Sequence, residues 1–182
     1  MKLIHRLYWR LRGVKIHRTA IVYDNVILNK GVEIGAYSVI GGAAEIKTQK
    51  QIPLGIVYIG EGTIIREHVT IHSPRSNNSS TYIGDKCYIQ AHSHIGHDSQ
   101  IGDNVTIACY ACIGGHTELE DHVNMALHTV THPHTRISEG TIVGCNSFAK
   151  GELEVWSVYV GTPAKRIKAN NYLRRKLGLD DI

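Results

Sequence analysis

The sequence contains twelve histidines in 182 residues, and ten of them lie between His68 and His134. An imidazole near neutral pH can take a proton, ligate a metal or simply line a surface. His97 is followed directly by Asp98, and a neighbouring carboxylate can orient an imidazole or raise its basicity for general-base work. Steps of eighteen residues link further members. Asp98, His116 and His134 form one series, His97 and Gly115 a second beside it, and His92, Tyr110 and His128 a third. If eighteen residues close one turn of the fold, an Asp-imidazole-imidazole column runs up one edge, flanked by His97 and the unhindered backbone of Gly115. His68 and His122 belong to no such series and read as ordinary surface residues. His72, His92 and His97 offer a competing chemistry, three imidazoles for a metal. Cys109-Tyr-Ala-Cys112 is a lone CxxC with no second pair, so inert thiols fit it better than zinc or redox work.

A period of six is what would place these residues. From Ile83, every sixth position is Ile89, Ile95, Ile101, Ile107, Ile113, Leu119, Met125, Thr131, Ile137, Val143, Ala149 and Val155. Four places after each stands a small or branched residue in most hexads, among them Ser93, Ser99, Val105, Ala111 and Thr117. An earlier run passes through Ile16, Val22, Leu28, Ile34, Ile40 and Ile46, and Ile59, Ile65 and Ile71 share the frame of the long run. Six fits neither the helical period of 3.6 nor a simple alternating strand. It describes a three-sided coil with one aliphatic side chain inward per side, each turn of eighteen residues adding a parallel rung ~4.8 Å higher. The expected fold is all-β, a parallel β-helix of roughly seven such coils. Stacked aliphatic ladders also suit a chain with one Phe.

Two stretches interrupt the frame and are expected to be loops, 47–57 (KTQKQIPLGIV) and 73–82 (SPRSNNSSTY). Long loops on a rigid scaffold often carry function. Residues 13–161 are therefore expected to form the β-helix. Residues 1–12 (MKLIHRLYWRLR) have helical apolar spacing with Arg between, and are expected to be a basic amphipathic cap. Contact with an anionic membrane or a partner is the alternative for this segment. The basic tail 162–182 is expected to be a short helix over the last coil, since an uncovered coil exposes strand edges.

Composition excludes several classes. With 42% apolar and 20% charged residues, the chain is neither disordered nor membrane-spanning. A net charge of +4, scattered along the sequence, is too mild for a nucleic-acid binder. Four cysteines make no disulfide framework, and no signal-peptide core is present, so the cytoplasm is the expected location.

The repeat up to Pro163 resembles the left-handed β-helix, hexapeptide-repeat acyltransferases. Ile65-Arg-Glu-His-Val-Thr-Ile-His72, Gln90-Ala-His-Ser-His-Ile-Gly-His-Asp98 and Ile113-Gly-Gly-His116 resemble stretches of the UDP-N-acetylglucosamine O-acyltransferases of lipid A synthesis. Val160-Gly-Thr-Pro-Ala-Lys-Arg166 resembles the end of small-molecule acetyltransferases, and His97-Asp98 followed by Ile101-Gly-Asp-Asn104 resembles sugar-nucleotide N-acetyltransferases. The resemblance implies His97 as catalytic base with Asp98 beside it and the Gly115 N–H for the oxyanion. It implies His94, His116 and His132 as substrate-binding residues, and Gly161, Lys165 and Arg166 at the donor. The implied reaction moves an acyl group, acetyl by expectation, from coenzyme A or acyl carrier protein to a sugar or sugar nucleotide in cell-envelope polysaccharide or lipopolysaccharide synthesis. Acetyl-CoA or another acyl thioester is a co-substrate, and no permanent cofactor or metal is expected. A cytoplasmic homotrimer with sites between subunits is implied as well. The lipid A enzymes carry a substantial helical C-terminal domain where this chain has a short tail. Gamma-class carbonic anhydrases, also hexapeptide β-helices, resemble the chain at His72, His92 and His97, but not in the residues that flank their metal ligands.

Overall fold

The computed structural model describes residues 9–48, 50 and 52–179. The hexads become two- to four-residue strands separated by corners, and the strands form three parallel sheets. The first face runs from Lys15–Ile16 through Tyr88–Ile89 to Ser157–Val160. The second runs from Ile21–Val22 through His94–Ile95 to Phe148–Ala149, and the third from Val26–Leu28 through Gln100–Ile101 to Glu152–Leu153. Three faces of at least seven rungs make seven full coils, as the hexad count predicts.

Each hexad sends one side chain inward, where it stacks on its counterpart one coil away. Ile83, Ile101, Leu119 and Ile137 pair in register on the third face, and all four are at most 2% exposed. Burying such a side chain contributes on the order of 1.5–3 kcal/mol, so the ladders, rather than large rings, supply the core. The smaller inward position is filled by Val, Ala, Ser or Thr. Its hydroxyls accept from or donate to the neighbouring coil, as in Thr63 Oγ1 to the Gly84 carbonyl at 2.7 Å.

The corners explain much of the histidine content. Among the described residues thirteen non-glycine residues have positive φ; six are His (68, 92, 116, 122, 128 and 134) and three are Asp98, Asn104 and Asn146. This left-handed conformation is several-fold enriched in Asn, Asp and His. Half of the chain's histidines thus answer to backbone geometry, whatever else they do. His68 is not the isolated residue expected from a fixed step of eighteen. Tyr37, His68, His92, Tyr110 and His128 form one continuous ring stack with centroids 4.7–5.2 Å apart. His122 likewise occupies a left-handed corner, its N–H bonded to the Asp103 carbonyl one coil below.

The step of eighteen fails for His68 because both excursions lie inside coils. Leu28 pairs with Ile59 and Ile34 with Ile65, 31 positions apart, so the first excursion adds thirteen residues, two hexads and one. Ile59 pairs with Ile83 and Ile65 with Ile89, 24 apart, so the second adds six. One full hexad leaves the sequence frame intact while the chain leaves the prism. The loops are also shorter than expected. Ile56–Ile59 and Ser80–Ile83 are already strands, because their alternating residues resume pairing with the coils on either side.

The tail departs from expectation too. Lys165–Ala169 is a strand, paired antiparallel with Ser157–Val160, and extends the first face. Among its described residues only Asn171–Lys176 is helical, with no buried residue. Hydrogen bonding to an open sheet edge outweighs the weak helical propensity of the basic stretch. The expected N-terminal cap over 1–12 falls mostly outside the described residues. Within it, residues 9–11 end a helix and Trp9 is buried against the first coil. Among the described residues no helix is long and apolar enough to cross a membrane.

Candidate functional site

Between the second and third faces each coil turns through four residues: Gly96 to Ser99, then Gly114 to Thr117 one coil up, then His132 to Thr135. Both excursions leave from this same corner in the coils below, between Val39–Gly42 and Ile56–Ile59 and between Thr70–His72 and Ser80–Ile83. The loops and the histidine column therefore share one edge of the prism. Ile46 and Thr48 from the first excursion, Arg75, Ser76 and Ser79 from the second, and Asp98 and His116 line a cleft of about 590 Å³.

His97 and Gly115 meet as the spacing requires. A Cβ built on Gly115 would stand 2.7 Å from both Cε1 and Nε2 of His97, so the ring rests on bare main chain. His97 Nδ1 lies 2.9 Å from Asp98 Oδ2. Burial pushes the Asp98 carboxyl up, but hydrogen bonds from Ser79, from His97 and from the Arg75 N–H together hold it below the usual carboxylate range. An ionised carboxylate only accepts, so in the neutral ring Nδ1 carries the proton and the Nε2 lone pair is left free beside Gly115. The Asp98 main chain is fixed as well, its N–H donating to Thr81 Oγ1 at 2.9 Å.

Gly115 offers an open N–H for a reason visible one corner away. At the junction of the third and first faces, Asp103 accepts the N–H of Asp85 and Asp121 accepts that of Asp103, each at 2.7 Å. Above Gly115 the corresponding residue is Pro133, which has no acceptor side chain. Among the described residues the Gly115 N–H has no partner. Its neighbour is anchored from the coil above, because the Gly114 N–H donates to Thr131 Oγ1 at 2.8 Å. Thr131 breaks the aliphatic ladder at this point, at 3% exposure.

His116 Nε2 lies 3.8 Å from Asp98 Oδ2, and His134 stacks on it with centroids 4.6 Å apart. Burial lowers the pKa of His116 despite the attraction of Asp98, which leaves Asp98 to His97. His94 is on the adjoining strand, hydrogen-bonded to Thr70 Oγ1 at 2.8 Å and edge-on to His72 at 4.7 Å. Burial, with His72 beside it, pushes its pKa down to about 4, so it is neutral at physiological pH. His132 is exposed, above Gly114, with Nδ1 2.9 Å from the Pro133 carbonyl.

The donor-end residues sit higher on the same side. The Gly161 N–H donates to Ser147 Oγ at 2.8 Å, and Gly161 and Ala164 bracket Phe148 by main-chain bonds. This puts the turn about four rungs above His94, roughly 19 Å at ~4.8 Å per rung. Lys165 is exposed. Arg166 differs from expectation, since its Nε bonds Ser157 Oγ at 2.8 Å and pairs with Glu154 at 3.1 Å.

The imidazole trio of His72, His92 and His97 is not assembled within the chain. His92 is in the ring stack at another corner, between His68 and Tyr110. Among the described residues, those that do offer ligand atoms within 4.8 Å of one another are His97, Asp98 and His116. The cysteines are free, and burial raises the Cys87 thiol to about 11, out of reach of thiolate chemistry at neutral pH. Sequence reasoning missed Ser79, Thr81 and Thr131. The first two bond Asp98 across an excursion of unknown path, and the only signal for Thr131 was a polar residue in an aliphatic series.

Residues 80–124 match the family model described as bacterial transferase hexapeptide (six repeats). The acyl-[acyl-carrier-protein]–UDP-N-acetylglucosamine O-acyltransferase of Campylobacter lari is 34% identical over 121 residues, 46% of either chain. The chain thus spans about half the length of the curated relatives it matches. A solved UDP-N-acetylglucosamine acyltransferase from Bacteroides fragilis superposes with a TM-score of 0.83 over 90% of this chain and 64% of that one, at 19% identity. PerB from Caulobacter crescentus, solved with CoA and GDP-perosamine, gives 0.59 at 20% identity over 91% and 65%. The fold is therefore a left-handed hexapeptide-repeat β-helix.

Proposed function

We propose that this protein transfers an acyl group from a thioester to a hydroxyl or amine of a sugar or sugar nucleotide, by direct attack with His97 as general base. The observation that carries the reading is the free Nε2 of His97 against the main chain of Gly115, with Nδ1 held by an ionised Asp98. A sugar hydroxyl is a poor nucleophile at pH 7. Its proton passes to Nε2 as its oxygen attacks the thioester carbonyl, a contribution typically of about 10²–10⁴-fold. The tetrahedral oxyanion takes the hydrogen bond that the Gly115 N–H lacks in the free chain. Collapse expels the thiolate, which recovers the proton from His97. No cysteine or serine of the protein needs to be acylated.

In this reading the cleft between the two excursions holds the acceptor, with His94, His116 and His132 as its contacts. The donor lies along the edge above, its phosphates near Gly161 and Lys165. Arg166 is already bound to Glu154, so Lys165 carries more of that contact. Coenzyme A is the favoured carrier, supported by the tail and by the CoA named for PerB. Acyl carrier protein is the second reading, favoured by the name of the Campylobacter lari relative. The open cleft suits a homotrimer in which a neighbouring prism closes the site, working in the cytoplasm on cell-envelope sugars. The test is thioester cleavage with acetyl-CoA and with acyl carrier protein thioesters against UDP-, GDP- and dTDP-sugars. Acceptor-dependent release of thiol that His97→Ala abolishes supports the proposal. No release with any pair of substrates rejects it.

A further inference from the structure

The carboxylate that orients His97 is itself part of a compact ligand set. Asp98 Oδ2 is 2.9 Å from His97 Nδ1 and 3.8 Å from His116 Nε2, and one ligand atom from each residue lies within 4.8 Å of the others. Zinc binds imidazole nitrogen and carboxylate oxygen at about 2.0–2.2 Å in tetrahedral sites. Tetrahedral ligands at those lengths stand about 3.3 Å apart, between the two shorter separations here. The groups are not surface accidents. The side chain of Asp98 is 9% exposed, those of His97 and His116 20% and 31%. His134 stacked on His116 limits that ring's freedom, and the cleft lined by Asp98 and His116 gives an ion a way in.

We propose that His97, Asp98 and His116 form a binding site for a divalent transition-metal ion of the zinc class, and that occupancy switches off the base at His97. The chemistry of the ring sets the sign. In the metal-free site the proton is on Nδ1, facing Asp98, and Nε2 has the lone pair. A metal on Nδ1 requires the other tautomer, so the ring proton moves to Nε2 and nothing remains there to accept a proton from an incoming nucleophile. No oxidant or reductant is involved. Water or chloride completes the fourth position, as in zinc sites with three protein ligands. Two features limit affinity. The Arg75 N–H already donates to Asp98 Oδ2 at 3.0 Å, and the positive charge of Arg75 acts on His116. A carboxylate has about four lone-pair sites, so the Arg75 bond does not exclude the ion. The binding claim is independent of the proposed reaction, whereas the blockade rests on it.

The experiment titrates chelator-treated full-length protein with Zn²⁺ against a fluorescent zinc indicator and repeats the titration with Co²⁺, read by visible absorption. One equivalent per chain should bind saturably. Asp98→Asn and His116→Ala should each weaken it at least about tenfold while circular dichroism stays unchanged. His92→Ala, in the separate ring stack, should bind as the parent does and serves as the folded control. Unsaturable uptake, or unchanged affinity in both site variants, would overturn the site. Zn²⁺ should also abolish acyl transfer reversibly, with EDTA restoring it. Saturable binding that leaves turnover untouched would overturn the blockade. Saturable binding by a protein that turns over no thioester would uphold the site and reject the acyl-transfer reading instead.

Discussion

The ring of His97 lies so close to Gly115 that a single added methyl group would stand 2.7 Å from its Nε2. Gly115 does not have positive φ, so alanine there is compatible with the backbone and its effect falls on the ring. Gly115→Ala should displace the imidazole by several tenths of an ångström while the coil stays folded. Misplacement of a reacting group by an ångström costs on the order of 10²-fold. Steady-state kinetics should show kcat reduced by up to about that factor, ~10²-fold, with an unchanged melting temperature.

Removing the base altogether should be more severe. His97→Ala should lower kcat by about 10²–10⁴-fold without unfolding the protein. Asp98→Asn leaves the base present but removes the acceptor that fixes its tautomer. A smaller loss of kcat and a changed pH–rate profile are expected. Near-parental turnover in His97→Ala on an accepted substrate would remove this residue from the mechanism.

His94 makes stability depend on pH in a defined window. Its pKa is pushed down to about 4 from an ordinary 6.5, so between those values the unfolded chain binds the extra proton and the native chain does not. The native state is favoured above pH 6.5 and loses that advantage as pH falls toward 4, by up to about 1.4 kcal/mol per unit. Burial lowers His72 as well, in the same direction. Denaturant titrations from pH 7 to 4 should show this slope, and His94→Gln should flatten it.

The corner histidines can be tested apart from chemistry. His122 has φ of 61°. A β-branched residue in that conformation costs roughly 1–2 kcal/mol, whereas Asn tolerates it. His122→Val should lower stability in urea by about that amount and His122→Asn should be nearly neutral, both with unchanged kcat.

At the donor end, Lys165→Ala should raise KM for the thioester by about tenfold, the scale of one charge-assisted contact, with kcat little altered. Arg166→Ala should in addition release Glu154 and Ser157. A donor KM unchanged in both variants would move the phosphate site elsewhere.

Thirteen hexads in one frame were enough to set the coil, its three faces and the ladder of Ile83, Ile101, Leu119 and Ile137, because a buried repeat of six has few other folded solutions. The same frame put Asp98, His116 and His134 in one column and His97 beside Gly115. Within an uninterrupted stretch, position along the chain is position in space. That relation ends where the chain leaves the coil. The second excursion has the length of one hexad, so the period could not reveal that His68 joins His92, or that Ser79 and the Arg75 N–H fold back onto Asp98. Such contacts depend on a loop's path, which is set by hydrogen bonds between distant residues rather than by periodicity. The open N–H of Gly115, the Thr131 anchor above Gly114, the tie between Arg166 and Glu154 and the strand formed by Lys165–Ala169 were likewise decided in three dimensions. Each depends on which partner stands on the adjacent coil, a neighbour that local propensity does not specify.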